Sequence, residues 1–310
     1  MEQDSATRKT VLISKNPKSG ASDQSSIVDA LADHLESVGF LVHVLTDISE
    51  LKKQVDELQP KSNQHPSQLQ AVVAAGGDGT VSLLANELPA ETPLAILPLG
   101  TENLLAKYLC LRADPVSIAE TIRCGHEFLM DVGSANGKLF LVMLSCGFDA
   151  DVVNRLHSNR KGHIQHWSYV IPILQSIWKY RYPKIKIRSY SEDAEYSGKW
   201  AFLFNVPRYA MNIPFVPQAN PCDGALDVIT FHGGNTVRGL FYLFTVLIRK
   251  HLRWGTARHI VLTRFRIESD CEVQFQIDGD PGGVLPVEVE TLPNRLKLLV
   301  PAGWKNGIIE

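Results

Sequence analysis

Between residues 10 and 125 short apolar runs and amphipathic segments take turns, and no other feature of the chain restricts its fold as much. The runs TVLIS (10–14), LVHVLT (41–46), AVVAA (71–75) and PLAILPLG (93–100) read as buried strands, the last running on into a loop. A helix from about Ser22 places Ile27, Leu31, Leu35 and Val38 on one face, and Gly39 ends it. Further helices fall over 48–59, 80–88 and the TENLLAKYL segment, while PKSNQHPSQ (60–68) is a polar loop. Strands that alternate with helices build βαβ units, because parallel neighbours need a long crossover. Residues 1–125 are therefore expected to form an α/β domain on a parallel sheet.

After about residue 126 the rhythm changes. Two apolar runs in EFLMDVGSANGKLFLVMLSCGF meet at Asn136-Gly137, a dipeptide suited to a two-residue hairpin turn. Strand-like runs follow at 184–190, 199–206, 225–231, 258–268, 271–278 and 284–290, with helical runs at 149–157, 165–180 and 236–251. Residues 126–291 are expected to form a second, antiparallel β domain.

A chain of 310 residues has room for two cores. Its net charge of −2, from 31 basic and 33 acidic residues, lacks the basic footprint of a general nucleic-acid binder. Five cysteines, odd in number and without CxxC spacing, speak against a disulfide framework or zinc site and fit a reducing compartment. The opening MEQDSATRKTVLIS is not the pattern of a secretory signal. The longest apolar run, GLFYLFTVLI (239–248), is about half the roughly 20 residues that span a bilayer, so no transmembrane segment is expected. These features point to a cytoplasmic protein, peripheral on a membrane if its substrate lies there, with self-association left open.

Three loops of the first domain leave the C-terminal ends of strands: NPKSG (16–20), GGDGT (76–80) and PLGTEN (98–103). In an open α/β sheet such loops converge where ligands bind. Gly76, Gly77 and Gly79 let backbone N–H groups approach a phosphate, and Thr80 and Ser82 open a helix whose dipole favours an anion. Gly20, Gly100 and Thr101 repeat the pattern, so three loops together point to a nucleotide. There is no GxxxxGK[ST], and no GxGxxG after the first strand, so neither a P-loop nor a Rossmann fingerprint is present. Asp78, an acid inside a phosphate turn, makes sense if a cation intervenes or if the carboxylate has another task.

In this order and spacing NPKSG, GGDGTV and PLGT-N resemble the catalytic domain of the diacylglycerol kinase family, which includes sphingosine and ceramide kinases and bacterial lipid kinases. SCGFDADVV (145–153), NPCDGALDV (220–228) and QIDGDPGG (276–283) resemble its later motifs, so the likeness covers roughly residues 10–300. The resemblance implies an N-terminal α/β domain of the NAD kinase-like kind and a C-terminal β-sandwich, with residues after about 292 returning to the first domain. It implies ATP and magnesium as cofactors, and a membrane lipid as substrate and partner. ATP contacts would fall on Asn16, Pro17, Lys18, Ser19, Gly20, Thr46, Gly76, Gly77, Asp78, Gly79, Thr80, Val81, Ser82 and Thr101. Asp78 would hold magnesium directly or through water, and so counts as catalytic. Asp223 matches a second metal site, with Asn220 and the Ala225 backbone lending oxygen; alone, Asp223-Gly224 reads as a turn. Asp280 stands where the family has the acid of a DGE-like sequence and is the candidate general base, although DGDPGG is also a plain β-turn sequence.

The chain departs from the family in its third loop. Where GTGND is usual it reads GTENL, so Glu102 replaces a glycine and Leu104 an aspartate of the acidic network. Either Glu102 supplies the missing charge at the metal, or the metal is held weakly, or kinase activity is lost; Glu102 also suits a helix N-terminus. The readings are thus an ATP- and magnesium-dependent lipid kinase, a catalytically impaired nucleotide- or lipid-binding relative, and, more remotely, a soluble-substrate kinase of the NAD-kinase type.

Two stretches suit a lipid surface: HWSYVIPILQSIWKYRYPK (166–184) and GLFYLFTVLIRKHLRW (239–254), both rich in apolar, aromatic and basic residues. The alternative is that both pack their apolar faces on the β domain. His157, His163 and His166 lack acidic companions and read as surface histidines.

Overall fold

The computed structural model describes residues 8–15, 22–59, 67–158, 180–209, 213–255, 257–305 and 307–309. The NPKSG loop, the expected helix over 165–180 up to residue 179, and His163 and His166 lie outside the described residues. The chain divides into two compact units, Met1–Met130 with Asn294–Glu310, and Asp131–Pro293.

The first unit contains β1 (Thr10–Lys15), α1 (Ser22–Ser37), β2 (Leu41–Leu45), α2 (Ile48–Leu58), β3 (Leu69–Gly76), α3 (Asp78–Glu87), β4 (Leu94–Pro98), α4 (Leu104–Tyr108) and α5 (Pro115–Cys124). Its strands run parallel in the order β2-β1-β3-β4. Val11 to Ile13 and Ala71 to Ala75 are fully buried, which is why the central strands read as unbroken apolar runs. Each such Val, Leu or Ile contributes about 1.5–3 kcal/mol by leaving water. Two helices start at acids: Asp47 accepts the Ser49 and Glu50 N–H groups ahead of α2, and Asp114 accepts Ser117 N–H ahead of α5, where Pro115 supplies a preset first turn.

The second unit begins within β5 (His126–Ala135), which turns through Asn136 (φ +50°) and Gly137 (φ +85°) into β6 (Lys138–Phe140). It continues through β7 (Met143–Cys146), α6 (Phe148–Ser158), β8 (Ile185–Ser189), β9 (Glu195–Gly198), β10 (Trp200–Phe204), β11 (Arg208–Tyr209) and β12 (Ile213–Pro214). Then come β13 (Leu226–Phe231), α7 (Thr236–Leu247), β14 (Ala257–Leu262), β15 (Arg264–Ser269), β16 (Gln274–Ile277), β17 (Asp280–Val284) and the start of β18 (Val287–Val300). One antiparallel sheet has the order β14-β13-β10-β7-β16-β17. In the other, β8 and β18 flank β15. Leu144, Leu203, Val228 and Phe275 from the first join Ile187, Phe265, Ile267 and Val287 from the second in one buried cluster, so the unit is a sandwich. The apolar run 258–268 divides into β14 and β15 at Thr263 because the chain changes sheets there, β14 pairing with β13 and β15 with β8.

The far end of β18 belongs to the first unit, where Leu298 lies parallel to Leu94 of β4. β19 (Trp304–Lys305) and β20 (Ile308–Ile309) follow as a small hairpin. Trp304 is buried, donates its indole N–H to the Tyr108 carbonyl at 3.2 Å, and packs its ring on Tyr108 and Phe128. Among the described residues no helix is long and apolar enough to cross a membrane.

Candidate functional site

Two of the three glycine-bearing loops are described, and they interlock. A Cβ on Gly100 would stand 2.4 Å from the Gly77 Cα, so the β3–α3 and β4–α4 turns touch backbone to backbone. Leu99 N–H donates to the Gly76 carbonyl at 2.9 Å, and Gln24 donates to the Leu99 carbonyl, also at 2.9 Å. Asn103, in the left-handed region at φ +48°, accepts Gly100 N–H at 3.0 Å and donates back to the Gly100 and Pro98 carbonyls. A Cβ on Gly76 would lie 2.2 Å from the Thr80 hydroxyl oxygen, so glycine is required there too. Helix α3 starts at Gly77 with no side chain capping it, which leaves first-turn N–H groups for an anion. Thr80 and Val81 are buried, Ser82 is half-buried, and Gly79, Thr101 and Thr46 are exposed.

Asp78 bridges these loops. Its two carboxylate oxygens accept Leu104 N–H at 3.0 Å and Leu105 N–H at 3.1 Å. The acid of the GGDGT turn thus caps the helix of the neighbouring loop, a long-range partnership that sequence spacing does not reveal. Burial raises its pKa above the ordinary carboxylate range; the two N–H groups pull it down, Glu102 pushes it up, and Lys107 lowers it. Glu102 lies 4.0 Å from the Lys107 ammonium.

Among the described residues no group of three or more His, Cys, Asp or Glu side chains could hold a metal. Magnesium in phosphoryl-transfer sites needs fewer protein ligands: one or two carboxylates suffice, with phosphate oxygens and waters completing the shell. Asp78 meets the least of that requirement as a single carboxylate, since each of its oxygens accepts one backbone bond only.

In the second unit Asp280 opens β17, directly after a turn through Asp278 (φ +49°) and Gly279 (φ +88°). Its side chain is 56% exposed, and His157 Nε2 lies 3.4 Å from its carboxylate. Asp223 is exposed and accepts Ala225 N–H at 3.1 Å in a local turn; Asn220 and Ala225 are half-buried.

Three further carboxylates organise this unit, and the sequence reading passed over them. Asp131, buried, accepts Gly224 N–H at 2.7 Å, and its own N–H donates to the Pro221 carbonyl, so it fixes the turn that carries Asp223. Asp278 accepts N–H groups from Leu141, Val142 and Met143 at 2.8–3.0 Å. Asp149 of the SCGFDADVV motif accepts the hydroxyls of Ser145 and Tyr209 and the Gln276 amide. Gln276 in turn accepts Gly279 N–H at 2.8 Å, linking Asp149 to the turn before Asp280. Burial raises the pKa of Asp149 against these three hydrogen bonds, which lower it. The available signal was an acid inside or just after an apolar run, as in FLMDVG, because a buried charge there must find donors.

A parallel α/β unit with glycine turns at its strand ends, joined in one chain to an antiparallel sandwich, is the architecture of NAD kinase-like folds. The chain belongs to the diacylglycerol kinase family: the family model for the diacylglycerol kinase catalytic domain matches residues 10–135, and that for the YegS C-terminal NAD kinase beta sandwich-like domain matches residues 142–300. It is 25% identical over 304 residues to a diacylglycerol kinase of Staphylococcus saprophyticus, covering 96% of this chain and 98% of the relative. It is also 25% identical over 244 residues to a diacylglycerol kinase of Bacillus subtilis, covering 74% and 77% of the two chains. A solved diacylglycerol kinase structure from Bacillus anthracis shares the fold with a TM-score of 0.66 at 19% identity, over 95% of this chain and 97% of that one. Yeast NADH kinase shares it with a TM-score of 0.54 at 14% identity, over 98% and 86%.

Proposed function

We propose that the protein is an ATP- and magnesium-dependent lipid kinase that phosphorylates a hydroxyl of diacylglycerol or a sphingoid-like lipid. The observation that carries this reading is the contact between the Gly77 and Gly100 turns, which brings two glycine loops and the uncapped start of α3 together. Backbone N–H groups at such a place hold phosphate oxygens without the steric cost of a side chain. Asn16, Pro17, Lys18, Ser19 and Gly20 would complete the nucleotide site, with Thr46 and Thr101 at its rim. Asp78 and Glu102 would hold magnesium, which when bound would supply charge neutralisation on the phosphates. Asn220, Asp223 and the Ala225 carbonyl would hold a second ion, where the Asp131 bond to Gly224 keeps the turn in shape.

Asp280 serves as the general base. The lipid O–H gives its proton to the Asp280 carboxylate, its oxygen bonds to the γ-phosphorus, and the bond to the β–γ bridging oxygen breaks, releasing ADP. Exposure suits Asp280 to meet a substrate, and Gln276 and Asp278 hold the turn that presents it. His157, 3.4 Å away, orients the carboxylate.

The test is phosphate transfer from labelled ATP to lipids in mixed micelles, with wild type beside Asp280→Asn. Labelled lipid that disappears in the variant while ATP affinity is unchanged supports the reading; undiminished transfer removes Asp280 as the base. Leu104 favours a second reading, an impaired nucleotide- or lipid-binding relative, because it offers a backbone N–H to Asp78 where the family has an acid. ATP binding without labelling of any lipid would favour it.

A further inference from the structure

Helix α7 is apolar on two faces, and among the described residues only one of them is buried. Its inner face carries Gly239, Tyr242, Thr245 and Val246, all buried. The Tyr242 hydroxyl accepts Gly233 N–H at 2.8 Å, and its ring packs on Trp200 and Phe231, with centroids 5.7 and 4.7 Å away. The outer face carries Val237, Leu240, Phe241, Phe244, Leu247 and Ile248, each 38–75% exposed. These positions recur at helical spacing, so they form one stripe facing outward, where a surface helix of a soluble protein is ordinarily polar. Trp254 is 51% exposed and stacks near Phe241, with ring centroids 6.4 Å apart, which extends the stripe past the helix end.

Along the sequence the charge around the stripe has one sign: no Asp or Glu occurs between Asp227 and Glu268, whereas that stretch holds Arg238, Arg249, Lys250, Arg253 and Arg258, ahead of Arg264 and Arg266, which pair with Glu290 and with Glu268 and Glu288. Arg249, Lys250 and Arg253 are exposed directly beyond the helix. We infer that α7 docks the protein on an anionic lipid bilayer, its outer apolar stripe in the interface and Arg249, Lys250 and Arg253 on the headgroups; the inference deepens the lipid-kinase reading and rests on it. At 12 residues the helix is about 18 Å long, too short to cross a bilayer and suited to lying in it. A second copy is the poorer occupant, since apposing the same patch would bring Arg249, Lys250 and Arg253 of both copies together.

The test is co-flotation of the full chain with vesicles of phosphatidylglycerol and phosphatidylcholine, or of phosphatidylcholine alone, at low and high salt. The expected result is binding to the anionic vesicles that weakens with salt. Phe244→Ser with Leu247→Ser should lower partitioning by about tenfold or more. Lys250→Gln and Arg253→Gln should each lower it roughly fivefold on anionic vesicles only. Circular dichroism verifies that the variants are folded, since the altered side chains are exposed. Equal flotation of folded wild type and variants, or no flotation of the wild type, overturns the proposal. So does a lipid-free dimer in sedimentation equilibrium that Phe244→Ser dissolves. Transfer of phosphate to dispersed short-chain diacylglycerol is measured in parallel: its absence alongside stripe-dependent flotation sinks the kinase reading and leaves the docking surface standing. Its persistence in variants that no longer float supports both.

Discussion

The Asp78 carboxylate accepts the Leu104 N–H at 3.0 Å, so the acid of the GGDGT turn fixes the start of the helix in the next loop. Two turns far apart in sequence are thereby made into one surface. Asp78→Ala would leave the N–H groups of Leu104 and Leu105 without this acceptor, at a cost of about 1–3 kcal/mol. The expected outcome is a lower melting temperature together with weaker binding of magnesium-ATP, read by calorimetry. Unchanged affinity in a folded variant would separate Asp78 from the nucleotide.

Leu104→Asp tests the departure itself. The Leu104 N–H would still reach Asp78, while a carboxylate would be added to the Asp78–Glu102 pair. The expected outcome is that half-maximal phosphate transfer requires less magnesium than in wild type. An unchanged metal dependence would show that Glu102 already suffices.

The glycines of this site are not equivalent. Gly100→Ala would set a Cβ 2.4 Å from the Gly77 Cα and separate the interlocked turns, and loss of ATP binding is expected. Gly79 has nothing within 4 Å of where its Cβ would stand and lies in the first turn of α3. Gly79→Ala should therefore keep or raise stability, by up to about 1 kcal/mol. Thermal melts with and without ATP measure both, and a fall in ATP affinity confined to Gly79→Ala would place phosphate against that residue.

Asp149 gives the sandwich a pH dependence whose sign is fixed by its raised pKa. The folded state holds the proton more tightly than the unfolded chain. Stability contributed by this group therefore falls as pH rises from the ordinary carboxylate value, about 4, toward the raised folded value, and the full cost of the buried charge is present above it. The wild type should gain melting temperature relative to Asp149→Asn as pH is lowered from neutrality toward that window. Parallel melting curves across the range would refute a raised pKa at this site.

Trp304 anchors the returning end of the chain. It is buried, and Trp304→Ala would remove its packing on Tyr108 and Phe128 and its bond to the Tyr108 carbonyl. A loss of about 3–5 kcal/mol is expected. Denaturant unfolding followed at the first unit measures it.

What could be read in the sequence was local. β1, β3 and β4 announce themselves because parallel strands buried on both faces must be apolar throughout, and Asn136-Gly137 because a tight hairpin needs residues that accept positive φ. The two described glycine turns were legible for the same reason: glycine has few substitutes where backbones meet. The task of Asp78 was not, since its partners lie 26 and 27 residues away. Asp131, Asp149 and Asp278 escaped notice because an acid in an apolar run has meaning only once its donors are known, and those come from other strands. Composition marked 239–254 as apolar, aromatic and basic without telling which face of α7 the sandwich covers.

The return of residues 294–309 to the first unit sets an order on the birth of the molecule. During synthesis β4 is made long before Leu298, so its edge waits unpaired while all of residues 131–293 emerges. Tyr108, just after the nucleotide turns, gains its Trp304 contact later still. The first unit is therefore begun before the second and completed after it. A protease cut between 294 and 304 would leave every described glycine turn in place and still remove the Trp304 packing and hydrogen bond behind Tyr108 of α4.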